Sequence, residues 1–156
     1  MIPFGSIVIP GSNPQAFSPT ATPSKLNVFT GNGASSSASE GDQSVQPDHA
    51  NSQILVYKPG NYLVMFQAIV QADGEQPADF YLYANGSKVA DLGAQVTFKG
   101  SQYQPISFWG LYQATKAFTD TSLTDALTIY VASDDYNGND EDLTIASAAL
   151  LVMRMS

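Results

Sequence analysis

The sequence predicts an all-β domain, a sandwich or barrel of about ten antiparallel strands. Short runs rich in β-branched and aromatic residues recur along the chain, from "SQILVYK" to "LTIASAALLVMRM". Turn-forming pairs such as Pro59-Gly60, Asn85-Gly86, Lys99-Gly100 and Asn137-Gly138 separate them. No window carries the 3.6-residue apolar stripe of an amphipathic helix, and strands punctuated by turns without intervening helices fold as sandwiches or barrels.

Residues 1–23 hold five prolines and few charges. Proline removes a backbone donor and is excluded from helix interiors and central strands, so this stretch reads as an extended arm preceding a domain at 24–156. Its apolar members Ile2, Phe4, Ile7, Val8, Ile9 and Phe17 are costly in water, at about 1.5–3 kcal/mol for each large side chain. The arm either folds back on its own domain or docks on a partner. "KLNVFT" at 25–30 alternates as a half-buried strand, "GNGASSSASEGD" at 31–42 is a Gly/Ser-rich loop, and 52–58 is a short strand. Further strands are expected at 61–72, 79–85, 87–98, 103–115, 123–133 and 143–155.

Two of these strands are apolar on both faces. The strand at 61–72 sets Tyr62, Val64, Phe66, Ala68 and Val70 on one side and Leu63, Met65, Gln67, Ile69 and Gln71 on the other. In the last strand, strict alternation puts Leu143, Ile145, Ala149, Leu151, Met153 and Met155 on one face and Ala146, Ala148, Leu150 and Val152 on the other. Parallel strands buried on both sides need long crossovers, for which this chain has no room. The outer face of a two-layer sandwich normally meets water, so a second apolar face implies a subunit contact. The expected interface residues are Leu63, Met65, Ile69, Ala148, Leu150 and Val152.

Six basic residues against fourteen acidic ones, a net charge of -8, argue against nucleic acid as a partner. The start "MIPFGSIVIPGSNP" lacks a cationic n-region, so no secretory signal is expected, and no apolar run is long enough for a membrane helix. There is no cysteine, hence no disulfide and no thiol nucleophile. The only histidine, His49, sits in "VQPDHANSQ" without a nucleophile elbow nearby and reads as a loop residue. Asp135, Asn137 and Asn139 copy the first ligand positions of a calcium loop, but Asp140 replaces its glycine and Ala146 its bidentate glutamate. That segment is read as a solvated loop with at most a weak Ca²⁺ site. Asn85-Gly86-Ser87 matches a glycosylation sequon and reads as a hairpin turn. Asp79, Glu75 and Asp91 are near in sequence without a cleft to face across, and the eight tyrosines and Trp109 suit sheet faces and interfaces better than a sugar-stacking surface. Neither catalysis nor a cofactor is expected.

The motifs "KPGNYLVMFQAIVQ", "YANGSKV", "LTDALTIYVAS" and "ASAALLVMRM" together resemble the complement C1q and tumour-necrosis-factor-like jelly roll over residues 24–155. The resemblance implies a ten-stranded jelly-roll sandwich that trimerises about a threefold axis, with the central and final strands in the same inner sheet. The chain departs from secreted animal members in lacking a collagen-like stalk and cysteines. In its compact, acidic form it looks like the trimeric decoration (cement) or fibre proteins of tailed bacteriophages. That likeness implies a non-enzymatic virion protein made in the host cytoplasm: a homotrimer on the capsid surface that binds the major capsid protein or another virion protein. The N-terminal residues Ile2, Phe4, Ile7, Ile9 and Phe17 would make the capsid contact. The alternative is a fibre-tip or lectin-like module that holds a receptor or carbohydrate with the loops at 73–78 and 134–142.

Overall fold

A computed structural model describes residues 2–36, 44–115, 125–133 and 142–156. Among them lie twelve strands: β1 (Phe4–Ile9), β2 (Gln15–Phe17), β3 (Ser24–Lys25), β4 (Gly31–Asn32), β5 (Val45–Asp48), β6 (Gln53–Val56), β7 (Gly60–Ala72), β8 (Gln76–Ala84), β9 (Ser87–Phe98), β10 (Gln104–Ala114), β11 (Asp125–Ser133) and β12 (Leu143–Arg154). The only helical element among the described residues is a single 3-10 turn at His49–Asn51. One sheet runs β10-β7-β12-β1-β4 with β2 also paired to β12; the other runs β5-β6-β11-β8-β9 with β3 paired to β11. Every pairing is antiparallel.

Alternation along β7 is as the sequence predicts: Tyr62, Val64, Phe66, Ala68 and Val70 are buried, and the residues between them face outward. These inward side chains meet Phe80 and Leu82 of β8 and Leu127, Ile129 and Val131 of β11 in a single apolar core. The Phe66 and Phe80 rings stack across the two layers with centroids 6.2 Å apart, and Phe108 of β10 lies 5.5 Å from Phe66. Tyr62 is fully buried, and its hydroxyl donates to the Lys58 carbonyl, so the core gains the ring without stranding the polar tip. Gly60 opens β7 at φ 147, where a Cβ would overlap the backbone oxygen of Ser156.

The N-terminal segment is not an extended arm. Strand β1 pairs with β12 over six residues, from Phe4 opposite Met153 to Ile9 opposite Ala148, and Ile7, Ile9 and Phe17 are buried. The physical reason lies in where the prolines fall: Pro3 and Pro10 bracket Phe4–Ile9 and none interrupts it. Every amide of the strand can therefore join a ladder, and the boundary expected at residue 23 cuts through one hydrophobic core. The strand expected at 25–30 is a crossing between layers. Its start pairs with β11, its end leads to β4 beside β1, and Leu26 and Phe29 are buried between. Strand β5 contains Pro47, which the outer edge of the second sheet tolerates.

At the β8–β9 hairpin, Asn85 and Gly86 take φ 52 and 81, the pair of positive values that a two-residue turn needs. The Asn85 side chain is committed. Its Nδ2 donates to Asp125 Oδ1 at 2.8 Å and its Oδ1 accepts from the Ala126 amide at 2.8 Å. Tyr112 of β10 donates its hydroxyl to Asp125 Oδ2 at 2.7 Å, which ties one sheet to the other at this end of the sandwich. Burial, and next the hydrogen bond to Asp125, push the Tyr112 phenol well above its ordinary pKa.

Candidate functional site

The outward face of the first sheet is a set of cross-strand rows. Leu111, Leu63, Met153 and Phe4 lie opposite one another across β10, β7, β12 and β1, and the next row is Trp109, Met65, Leu151 and Ser6. Trp109 is 72% exposed, Leu111 64%, Met65 44% and Ile69 38%. Directly opposed side chains on one sheet face lie about 4.5–5.5 Å apart at Cβ, so each row is a continuous apolar band. The bands end at β1, where Ser6 donates its hydroxyl to the Ala34 carbonyl at 2.9 Å. A third row, Ser107, Gln67, Ala149 and Val8, is polar at its β10 side. A depression of about 390 Å³ lined by Gln67, Ile69, Pro105, Ser107, Ser147 and Ala149 lies beside it.

Leu63, Met65 and Ile69 belong to this face, but Ala148, Leu150 and Val152 do not. All three point into the core. The cause is a register shift between Ile145 and Ser147 where β12 pairs with β7. A β-bulge places one extra residue in one strand and reverses the alternation beyond it. Leu143 and Ile145 are therefore buried before the bulge, and Ala148, Leu150 and Val152 after it. The outward residues of β12 are Ala149, Leu151 and Met153. Trp109 was expected only in general terms at a sheet face or interface, and Leu111 not at all; alternation through "PISFWGLYQ" puts both on the face opposite Ile106 and would have found them.

The residues expected at the capsid contact are also redistributed. Ile7, Ile9 and Phe17 are consumed by the core, Phe4 is half-buried on the apolar face, and Ile2 is 52% exposed. Asp135, Asn137 and Asn139 lie outside the described residues, as does the loop at 134–141. Among the described residues no group of three or more His, Asp or Glu side chains is placed to hold a metal ion.

His49 is a turn residue. Its backbone amide donates to Asn32 Oδ1 at 3.0 Å, and its ring Nδ1 lies 3.1 Å from the same oxygen. Asp48 accepts from Asn51 Nδ2 and Gln53 Nε2, each at 2.8 Å. The Asn51 hydrogen bond above all holds its carboxyl below the ordinary aspartate range. That carboxylate closes a turn, with its Oδ2 engaged by two side-chain amides.

No family model matches the chain, and no curated protein matches it. Solved structures do. Murine APRIL at pH 5.0 superposes with a TM-score of 0.60 at 8% identity, over 99% of this chain and 100% of that one. The globular domain of zebrafish complement 1qA protein gives 0.54 at 12% identity, over 100% and 98%. Eiger TNF from S. frugiperda gives 0.53 at 14% identity, over 99% and 93%. With β7 and β12 side by side in one of two packed antiparallel sheets, the chain is a jelly-roll β-sandwich of the C1q/TNF-like kind.

Proposed function

We propose that three copies of this chain associate through the outward face of the first sheet, and that the trimer is a non-enzymatic structural protein of a virion, decorating the capsid of a tailed bacteriophage. The observation that carries the association is the pair of apolar rows led by Trp109 and Leu111. A face of this kind left in water is an aggregation hazard, and a closed ring of copies covers it once per subunit without leaving a free end. Trp109 is the residue type that most often anchors such contacts. The threefold order follows the likeness to C1q/TNF-like domains, and the virion role follows the compact, acidic, cysteine-free chain.

With Ile7, Ile9 and Phe17 built into the core, the shell contact falls to Ile2 and the body of the sandwich. The non-enzymatic reading is supported by the only histidine being held against Asn32 in a turn and by Asp48 being engaged by two amides.

Native mass spectrometry tests the first half of the proposal: three chains per particle are expected at micromolar protein, and a monomer or a dimer overturns it. Quantitative mass spectrometry of purified particles from the genome that encodes the chain tests the second. A fixed stoichiometry to the major capsid protein is expected, and absence from the particles, or presence only in the tail fraction, overturns the capsid role.

A further inference from the structure

We propose that the outward face of the second sheet carries a binding site for a neutral oligosaccharide, centred on Tyr81 and Lys88. The pairing of β8 with β9 slips between Tyr81, opposite Gly93, and Tyr83, opposite Lys88. The residues of β9 between those two pairs bulge, and Asp91 takes a left-handed φ of 67, a conformation that a side chain adopts at some cost and that clusters at functional sites. The bulge borders a depression of about 430 Å³ lined by Tyr81, Lys88, Ala90, Asp91 and Gly93, within the size range of small-ligand sites. A second notch shares Tyr81 and Lys88 and adds Asp79, Tyr83 and Tyr130.

The chemistry around these hollows is amphipathic in the manner of a sugar. The Tyr83 and Tyr130 rings stack at 3.9 Å and 3°, giving a rigid aromatic wall. Tyr81 lies over Gly93, where a Cβ would overlap its ring, so its position is fixed from below. Above it the Lys88 ammonium stands 3.8 Å from the ring centroid. Among the described residues, no side-chain hydrogen bond is formed by the hydroxyls of Tyr81, Tyr83 and Tyr130 or by the carboxylates of Asp79 and Asp91. A pyranose offers an apolar C–H face and a rim of hydroxyls. The face fits Tyr81 where the ammonium now sits, since an exposed cation–π contact is weak. The displaced ammonium then donates to a hydroxyl, and the two carboxylates and the phenols accept from or donate to the rest.

Charge selects the class of ligand. Two carboxylates flank one lysine, and the chain as a whole carries -8, so phosphorylated or sulfated polymers are repelled. The site lies within a single chain and on the sheet opposite the apolar rows, so it is independent of the proposed trimer and stays open in it.

Calorimetric titration of the full-length protein with cellotetraose, maltotetraose and chitotetraose, with heparin as the anionic control, decides the matter. At least one of the neutral tetrasaccharides is expected to bind with a millimolar or tighter Kd. Lys88→Ala and Asp91→Asn are each expected to weaken it about tenfold, while Lys99→Ala, an exposed lysine outside both hollows, leaves it unchanged. Tyr81→Phe keeps the ring over Gly93 and should weaken binding without loss of thermal stability. Three results overturn the proposal: none of the three sugars binds, heparin binds in their place, or binding persists unchanged in the Lys88 and Asp91 variants.

Discussion

Trp109 and Met65 stand directly opposite each other across the β10–β7 ladder, with both side chains turned away from the core and into solvent. They bring the most exposed aromatic residue of the described chain next to an exposed methionine in the middle of an apolar row. Trp109→Ala is expected to weaken subunit association by about 2–4 kcal/mol, the range of an interface anchor. Met65→Lys should do the same by placing a charge in the contact. Analytical ultracentrifugation should show both variants shifted toward monomer while circular dichroism stays that of the parent. Unchanged assembly in both would remove this face from the interface.

Phe66 is the sequence neighbour of Met65 and points the other way, between Phe80 and Phe108. Phe66→Ala should cost about 3–5 kcal/mol of stability through the cavity it leaves. Chemical denaturation should register that loss, whereas Met65→Ala should hardly move the unfolding midpoint of the isolated chain. Two adjacent residues then separate folding from association.

Removing residues 2–10 deletes β1 and with it the six-residue pairing to β12. Ile7 and Ile9 leave the core, and the partners Ala148, Leu150 and Val152 lose their cover on that side. The truncated chain is expected to lose cooperative thermal unfolding and to precipitate. A soluble, folded truncation would restore the idea of a detachable arm.

The Tyr112–Asp125 contact makes stability sensitive to alkali. Burial raises the phenol's pKa in the folded chain above the unfolded value near 10. The unfolded state therefore releases its proton first as pH rises. The contribution is fully present below about pH 10 and declines above it as the pH approaches the folded-state pKa. Tyr112→Phe should flatten this decline while lowering stability at neutral pH by about 1–3 kcal/mol, because Asp125 loses a donor. Thermal unfolding followed from neutral pH upward would show both effects.

Much of the fold is legible from residue order. Period-2 alternation from Tyr62 to Val70, and Asn85-Gly86 between two strands, correspond directly to β7 and the β8–β9 hairpin. Three features escape such a reading for physical reasons. Pro3 and Pro10 disguise β1, because a proline just outside a strand and one within it look alike by composition. The bulge at Ile145–Ser147 is invisible, since Ala146 and Ser147 are small enough to suit either face. The outward face is a property of the register: Trp109 meets Met65 only after β10 and β7 pair, and no single strand announces the row. The tyrosine hollow depends likewise on a slip between β8 and β9.

The bulge in β12 works as a half-step phase shifter between what the chain keeps for itself and what it shows to others. Ahead of it, Leu143 and Ile145 are inside; past it, Leu151 and Met153 are outside. A deletion of Ala146 would remove only the extra residue, leaving a regular strand in which Ile145 opposite Val70 and Ala148 opposite Ala68 still face inward and Ser147 faces outward. The bulge is thus the one described place in this strand where a residue can be lost without exchanging what faces the core for what faces outward, and a deletion elsewhere in the strand lacks that slack.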